Sequence, residues 1–226
     1  QALRHNFALA QSLAPDSKTM PMVKANAYGH GMLEVAEALA DIAPAFGVAC
    51  IEEALELREA GISQPILLLE GTFSADEVSI AALKGFWLMV ENQPQKEAIL
   101  SADIAQPVNV WLGVDTGMHR LGFPPEEAEK VYAELSQSRN VNEQIVVATH
   151  FACAEELDND FTNKQLTTFN NVVDAVSATQ TSLANSASIL GRPETHRDWN
   201  RPGYMLYGAS PFDHPQENGD QLKPVM

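Results

Sequence analysis

An α/β protein folded as a closed barrel of eight parallel strands is what this sequence predicts, and three observations carry the prediction. Eight short apolar runs recur along the chain. Between them lie stretches whose apolar residues fall three and four positions apart, the period of an amphipathic helix. Strand and helix patterns that alternate in this way build parallel sheets. The turn after the first run, VKANAYGHG, lacks the G-x-G-x-x-G spacing that opens a dinucleotide-binding doubly wound sheet, so a TIM-type (β/α)8 barrel is preferred over an open sheet.

The elements follow in order. QALRHNFALAQSL reads as an amphipathic helix rather than a signal peptide. Strands are expected at residues 20–24, 45–49, 66–69, 86–90, 108–114, 145–150 and 181–184, with a weaker eighth at 197–201. Leu33, Val35, Ala36 and Leu39 mark one helical face, and Ala54, Leu55, Leu57 and Ala60 another, which Gly61 is placed to stop. Pro125 opens a helix running to about Leu135, with acids in its first turn where the helix dipole favours them. The longest helix is expected from Thr162 to about Ala178. No internal repeat or low-complexity linker divides the chain, so residues 1–226 are read as one barrel domain.

Composition narrows the function. A chain of 226 residues with 45% hydrophobic content can bury a full core. Asp and Glu outnumber Lys and Arg by 30 to 14, for a formal charge of -16, so the average surface repels phosphate backbones and anionic lipid. Nucleic acid and membrane surfaces are excluded as partners on this ground. Cys50 and Cys153 sit in apolar or small-residue segments, as suits reduced thiols in the cytoplasm. No apolar run approaches the ~20 residues of a membrane span. His30, His119 and His150 lack metal-ligand spacing, and no metal is expected.

In a barrel the chemistry sits at the C-terminal ends of the strands. Lys24 ends the first run behind mostly apolar residues, and partial desolvation there favours the neutral amine that can attack an aldehyde. Taken alone, Lys24 reads as a strand-end lysine reaching solvent, and Tyr28 as an aromatic packed on the rim. Arg120 follows the fifth run in DTGMHRLGF, where a planar guanidinium on a tight loop can capture a carboxylate bidentately or pair with Asp115. His150 closes the sixth run in ATHFA. Asn185-Ser186-Ala187 follows the seventh run and Arg201-Pro202-Gly203-Tyr204 the eighth, with Pro202 expected as the first residue of a short helix. These last two loops match the position of the phosphate site of such barrels, with the Ser186 hydroxyl and the amides of Gly203 and Tyr204 as donors. Arg201 has Asp198 as an alternative partner.

VKANAYGHG resembles the cofactor-lysine motif of the alanine racemase family, a fold-type III pyridoxal phosphate group built on an α/β barrel. DTGMHRLGF is similar to the family's DTGM-x-RLG block, ATHFA to its T/S-H-F-A block, and the last two loops to its ANSA and RPG-x-x-LYG blocks. The resemblance implies pyridoxal 5'-phosphate as cofactor, carried by Lys24 as a Schiff base, with Lys24 also serving as one of two catalytic bases. It implies cofactor contacts from Tyr28, Asn185, Ser186, Gly203 and Tyr204, with Tyr28 on the phosphate. Arg201 is implied to face the ring nitrogen, His150 to hydrogen-bond Arg201, and Arg120 to bind the substrate carboxylate.

The expected activity is interconversion of L- and D-alanine, in a cytoplasmic homodimer that supplies D-alanine to the cell wall. Two departures qualify it. Many family members carry a lysine, often carbamylated, two residues before the aspartate of the DTG block, where it fixes the carboxylate-binding arginine; here the position is Gly113. Arg120 is then expected to be held by Asp115 or by an anion. The family also takes a catalytic tyrosine from a C-terminal β-domain across the dimer interface, and Tyr132, Tyr204 and Tyr207 stand in the wrong motifs to replace it. The chain is therefore expected to be the barrel of a longer protein, cut at both ends, with little activity alone. A broad-specificity amino-acid racemase and a non-catalytic pyridoxal phosphate carrier are the alternatives.

Overall fold

The computed structural model describes all 226 residues, Gln1–Met226. Its sheet has eight strands: β1 (Lys18–Thr19), β2 (Phe46–Val48), β3 (Ile66–Leu68), β4 (Phe86–Val90), β5 (Asn109–Gly113), β6 (Val146–Ala148), β7 (Gln180–Ser182) and β8 (Trp199–Asn200). All pair in parallel in the order β1-β8-β7-β6-β5-β4-β3-β2. A parallel bridge between Met22 and Gly47 joins the two ends of this order and closes the ring.

Seven of the eight expected runs form strands, the weak eighth included, while the first falls just beyond its strand. Its ladder begins at Lys18, whose amide donates to Asp198 O (2.8 Å), and is interrupted at Pro21, which has no amide proton to give. Pairing resumes one residue later, where Met22 N donates to Pro202 O and Val23 N to Gly47 O. Lys24 thus lies just beyond the last bridge of the closing strand.

The helices are α1 (Ala2–Leu13), α2 (Met32–Leu39), α3 (Ile51–Glu59), α4 (Asp76–Lys84), α5 (Gln93–Ser101), α6 (Pro125–Ser136), α7 (Phe161–Val176) and α8 (Ser186–Gly191). Their ends follow local chemistry. Gly61 and Gly85, at φ +89° and +69°, take the left-handed conformation that ends α3 and α4. Asn92 Oδ1 accepts Gln95 N at the start of α5, and Glu126 and Glu127 occupy the first turn of α6.

Alternation along the strands sorts apolar side chains into two layers. Phe86, Leu88 and Val90 of β4 face the helices and join the large core between sheet and helices. The opposite face is the barrel lumen, filled by Met20, Met22, Ala45, Leu67, Met89, Trp111, Val146, Ala148 and Trp199. Trp87, Trp111 and Trp199 pack with ring centroids 5.4–6.2 Å apart, and Lys18 Nζ lies 4.9 Å over the Trp199 ring. These rings plug the lower barrel, and Met22, Met89 and Ala148 above them form the apolar floor of a cavity at the C-terminal end.

The plug yields the first prediction. Trp111 is buried among the other two indoles, so Trp111→Ala should lower the free energy of unfolding by about 3–5 kcal/mol, as for large-to-alanine changes in cores. Urea denaturation followed by far-UV circular dichroism measures it. A loss below about 1 kcal/mol would mean that the indoles do not form the lower core.

Candidate active site

A cavity of about 700 Å³ opens at the C-terminal ends of the strands. Lys24, Tyr28, Arg120, His150, Asn185, Ser186, Arg201, Gly203 and Tyr204, scattered over 180 positions of sequence, all line it. The barrel brings them together because each follows a strand whose C-terminal end faces the same side.

Lys24 is half-buried and begins a turn that no helix or strand pattern describes. Ala25, Asn26, Ala27 and Tyr28 all take positive φ, 52° to 56°, and form a short left-handed helix. For residues with a Cβ this conformation costs roughly 1–2 kcal/mol each. Fixed bonds hold it in place. Glu53 of α3 accepts Ala25 N through Oε1 (2.7 Å) and Ala49 N through Oε2 (2.8 Å), while Asn26 Oδ1 accepts Met32 N at the start of α2. The turn brings Tyr28 over the neighbouring loop after β8, where its ring packs 5.0 Å from Tyr207. Tyr207 is anchored by its own hydroxyl on Met22 O. Tyr28 ends over Gly203, and a Cβ there would collide with the Tyr28 hydroxyl, so the glycine is required by close approach.

Beside it Ser186 Oγ accepts two backbone amides, Gly203 N (3.0 Å) and Met205 N (3.1 Å), and so joins the seventh and eighth loops. Its own proton remains to donate. This corrects one expectation: the Gly203 amide is already committed to Ser186. It corrects another as well, because the short helix after β8 is a 3-10 helix at Tyr204–Tyr207, two residues beyond Pro202. Asn185 Oδ1 caps α8 by accepting Ser188 N, which leaves its amide group facing the cavity.

Arg201 is buried and clamped. Its guanidinium donates to Ser182 Oγ and, at 2.6 Å, to Thr149 O, while Thr149 Oγ donates to Val114 O. Asp198 instead accepts from Thr181 N and Thr181 Oγ in β7, so the alternative pairing with Arg201 does not form. Nor does the expected hydrogen bond from His150 to Arg201, since the backbone carbonyl of the residue before His150 takes that donor. Burial pushes the Arg201 guanidinium down to about 10, which leaves it cationic at neutral pH.

Arg120 is exposed at the cavity mouth. Asp115 does not hold it: one oxygen accepts Gly117 N and His119 N, and the other pairs with His119 Nδ1. Gly113 leaves its space to Glu91, whose Cγ would lie 2.8 Å from a Cβ at position 113. Sequence reasoning missed both Glu91 and Glu53. Glu91 was within reach of the same rule that found the others, being the first polar residue after β4. Glu53 was not, because on α3 it reads as an ordinary surface acid. No cluster of three or more His, Cys, Asp or Glu is arranged to hold a metal, and no helix is long and apolar enough to cross a membrane.

A family model described as alanine racemase, N-terminal domain, matches residues 1–211. A catabolic alanine racemase of Pseudomonas aeruginosa is 48% identical over 226 residues, all of this chain and 62% of the relative. A biosynthetic alanine racemase of Escherichia coli is 47% identical over 227 residues, covering all of this chain and 63% of the relative. Among solved structures, biosynthetic alanine racemase from Pseudomonas aeruginosa superposes with a TM-score of 0.94 at 45% identity over 99% of this chain and 62% of that one. Alanine racemase from Acinetobacter baumannii gives 0.92 at 41%, over 100% and 66%. The chain thus spans about 62% of the length of the curated relatives it matches.

Two predictions follow from the site's geometry. Ala25→Gly removes a Cβ from a left-handed position on an exposed residue, which relieves roughly 1–2 kcal/mol of strain against about 0.5–1 kcal/mol of added chain entropy in the unfolded state. A small net stabilisation in thermal melts is expected; a clear destabilisation would show that the left-handed turn is wrong. The second concerns His150, whose protonation is pushed from 6.5 down to about 3 by burial and then by Arg201, Arg120 and Lys24. Between those values the unfolded chain binds more protons at this position than the folded one. Stability from this source is therefore present above about 6.5 and lost as pH falls toward 3. The urea midpoint should drop less from pH 7 to pH 5 in His150→Asn than in the unsubstituted protein, and an equal drop would refute the buried neutral histidine.

Proposed function

The chain belongs to the alanine racemase family, and we propose that it forms the pyridoxal 5'-phosphate-binding barrel of an enzyme that interconverts L- and D-alanine. One observation carries this reading: a single cavity gathers an amine, an anion cradle, a buried arginine and a second arginine at its mouth. The donor set suits the cofactor group by group. Lys24 supplies the amine for the aldehyde. Tyr28, the Ser186 hydroxyl, the Asn185 amide and the Tyr204 amide surround the place for the phosphate. Arg201 supplies a cationic donor for the ring nitrogen. When bound, pyridoxal phosphate supplies an electron-withdrawing ring that stabilises negative charge on the Cα of an attached amino acid.

The chain's own residues set how that chemistry runs. Lys24 takes or returns the Cα proton on its face of the ring. Arg201, cationic at neutral pH, would not readily release a proton to a bound pyridine nitrogen and would donate a hydrogen bond to it instead. Arg120 would receive the substrate carboxylate and so fix the orientation of the substrate's Cα in the cavity. The apolar floor of Met22, Met89 and Ala148 excludes water from below. His150, held neutral by burial, lines the wall as a polar contact that adds no charge.

The second proton transfer, on the opposite face, is assigned to a tyrosine of the C-terminal domain delivered by the partner subunit of a homodimer. The phenol of Tyr207 is unsuited to it, since burial pushes its ionisation up and its hydroxyl donates to Met22 O. Gly113 also favours a second reading, a broader amino-acid racemase on the same barrel, because the usual lysine is missing from beside Arg120.

Incubation with pyridoxal phosphate and then sodium borohydride should fix the cofactor on the peptide that contains Lys24, read by mass spectrometry. Label on Lys18 or another lysine, with Lys24 unmodified, would overturn the assignment. The 226-residue chain alone should bind cofactor but racemise alanine about 10²- to 10⁴-fold more slowly than the complete gene product, the usual effect of losing a positioned acid or base. Equal turnover by the two would refute the two-base reading. Initial rates over a panel of D-amino acids decide between alanine and a broader substrate range.

A further inference from the structure

Glu91 has no task in the reading above, yet its backbone is held firmly. Its amide donates to Gln95 Oε1 (2.9 Å), Gln95 Nε2 donates to Glu70 O (2.7 Å), and the next residue, Asn92, caps α5. The side chain therefore leaves β4 from a rigid base and leans toward β5. It fills the volume that any side chain at Gly113 would need, with Cγ 2.8 Å and Oε1 3.2 Å from a Cβ there. Its Oε2 is buried without a hydrogen-bond partner. A carboxylate oxygen so placed is unfavourable unless nearby charge compensates it.

The compensating charge is close. Of the cations around Glu91, Arg120 acts on it most strongly, followed by Arg201 and Lys24, while Glu70 opposes them. Arg201 is already clamped by Ser182 and Thr149. Arg120 makes no ion pair, and Asp115, the acid nearest to it in sequence, is engaged by its own loop.

We propose that Glu91 is the positioning residue for Arg120: its carboxylate, seated in the space that Gly113 leaves open, draws the guanidinium over the barrel mouth and holds it in the orientation that receives a substrate carboxylate. The inference rests on the reading of Arg120 as the carboxylate site. It makes Glu91 and Gly113 one unit, since a side chain at position 113 displaces the carboxylate. It also predicts a pH dependence, because burial raises the Glu91 carboxyl to about 7 and its charge is largely lost below that value. The groups facing it are Lys24 beyond β1, Glu70 beyond β3, Arg120 beyond β5, His150 beyond β6 and Arg201 beyond β8. His150 and Arg201 change charge near 3 and 10, outside this range.

The probe is propionate, which has the carboxylate and carbon chain of alanine without its amine, titrated into the cofactor-loaded protein by calorimetry at pH 8 and pH 6. By Coulomb's law alone, removing an anion beside the site should tighten binding of another anion. Loss of positioning weakens it, so the two roles have opposite signs. Glu91→Gln is expected to weaken propionate about fivefold to tenfold at pH 8, with the difference from the unsubstituted protein shrinking at pH 6. Glu91→Asp, which keeps the charge, should recover most of the affinity. Gly113→Ala should weaken binding in the same sense, and adding it to Glu91→Gln should cost little more, as for residues that act as a unit. Thermal melts of each variant show that it is folded, and Gly113→Ala carries the test where Glu91→Gln is not. Unchanged or tighter binding in a folded Glu91→Gln, or in Gly113→Ala, overturns the proposal. Arg120→Ala separates the two levels: if it leaves propionate affinity unchanged, the carboxylate-site reading falls and this inference with it. If Arg120→Ala weakens binding and Glu91→Gln does not, only this inference falls.

Discussion

A parallel sheet has two edges, and here a single bridge between Met22 and Gly47 joins them. Closure removes the exposed edges and turns the C-terminal ends of eight strands into a ring around one mouth. The closing strand is also the least regular. Pro21 cannot donate to a neighbour, so the ladder is carried by the amides on either side of it, Met20 to Asn200 O and Met22 to Pro202 O. The strand then ends abruptly, and the left-handed turn from Ala25 redirects the chain so that Lys24 stays at the mouth while Tyr28 reaches Gly203. The position of the Lys24 amine is in this sense a consequence of how the barrel closes.

The mouth sets three basic side chains among acids, since Lys24, Arg120 and Arg201 share its lining with Glu70, Glu91, Asp115 and Glu155. With a formal charge of -16 the protein repels anions at long range, yet Lys24, Arg120 and Arg201 converge on one cavity. Attraction for a phosphate or a carboxylate is therefore local and depends on low-dielectric walls, where a fixed charge acts more strongly than in water. The same walls disfavour every charge that is not paired. Arg201 answers this with two hydrogen bonds, His150 by staying neutral, and Glu91 by sharing the field of the cations around it.

The parts of this arrangement that depend on periodicity could be read from the sequence. Seven of the eight runs became strands and the first fell just beyond its strand, and the polar residues at their ends met in one cavity, because alternating apolar patterns and strand order determine which end of each strand faces the mouth. The parts that depend on close approach could not. VKANAYGHG carries no local signal for four consecutive residues at positive φ, since alanine, asparagine and tyrosine all prefer other conformations; the turn is imposed by Glu53, Asn26 and the packing of Tyr28. The missing side chain at Gly113 was visible in the sequence, whereas the carboxylate that fills its place comes from another strand. The commitment of the Gly203 amide to Ser186 is likewise a fact of three dimensions, because the two residues belong to different loops.

Strain and function meet at the left-handed turn. Four residues with side chains at roughly 1–2 kcal/mol each are a considerable fraction of the stability of a domain, and strain of this size persists only where surrounding contacts over-determine it. Here those contacts come from independent elements: the Glu53 carboxylate on α3, the Met32 amide of α2, which donates to Asn26 Oδ1, and the Tyr207 ring anchored on Met22. An ordinary right-handed turn would relieve the strain but could not keep the same path from Lys24 to Tyr28. Because the two residues are only four positions apart and both line one cavity, the chain between them has little freedom. The strained geometry trades folding stability for a fixed relation between the amine and the phenol.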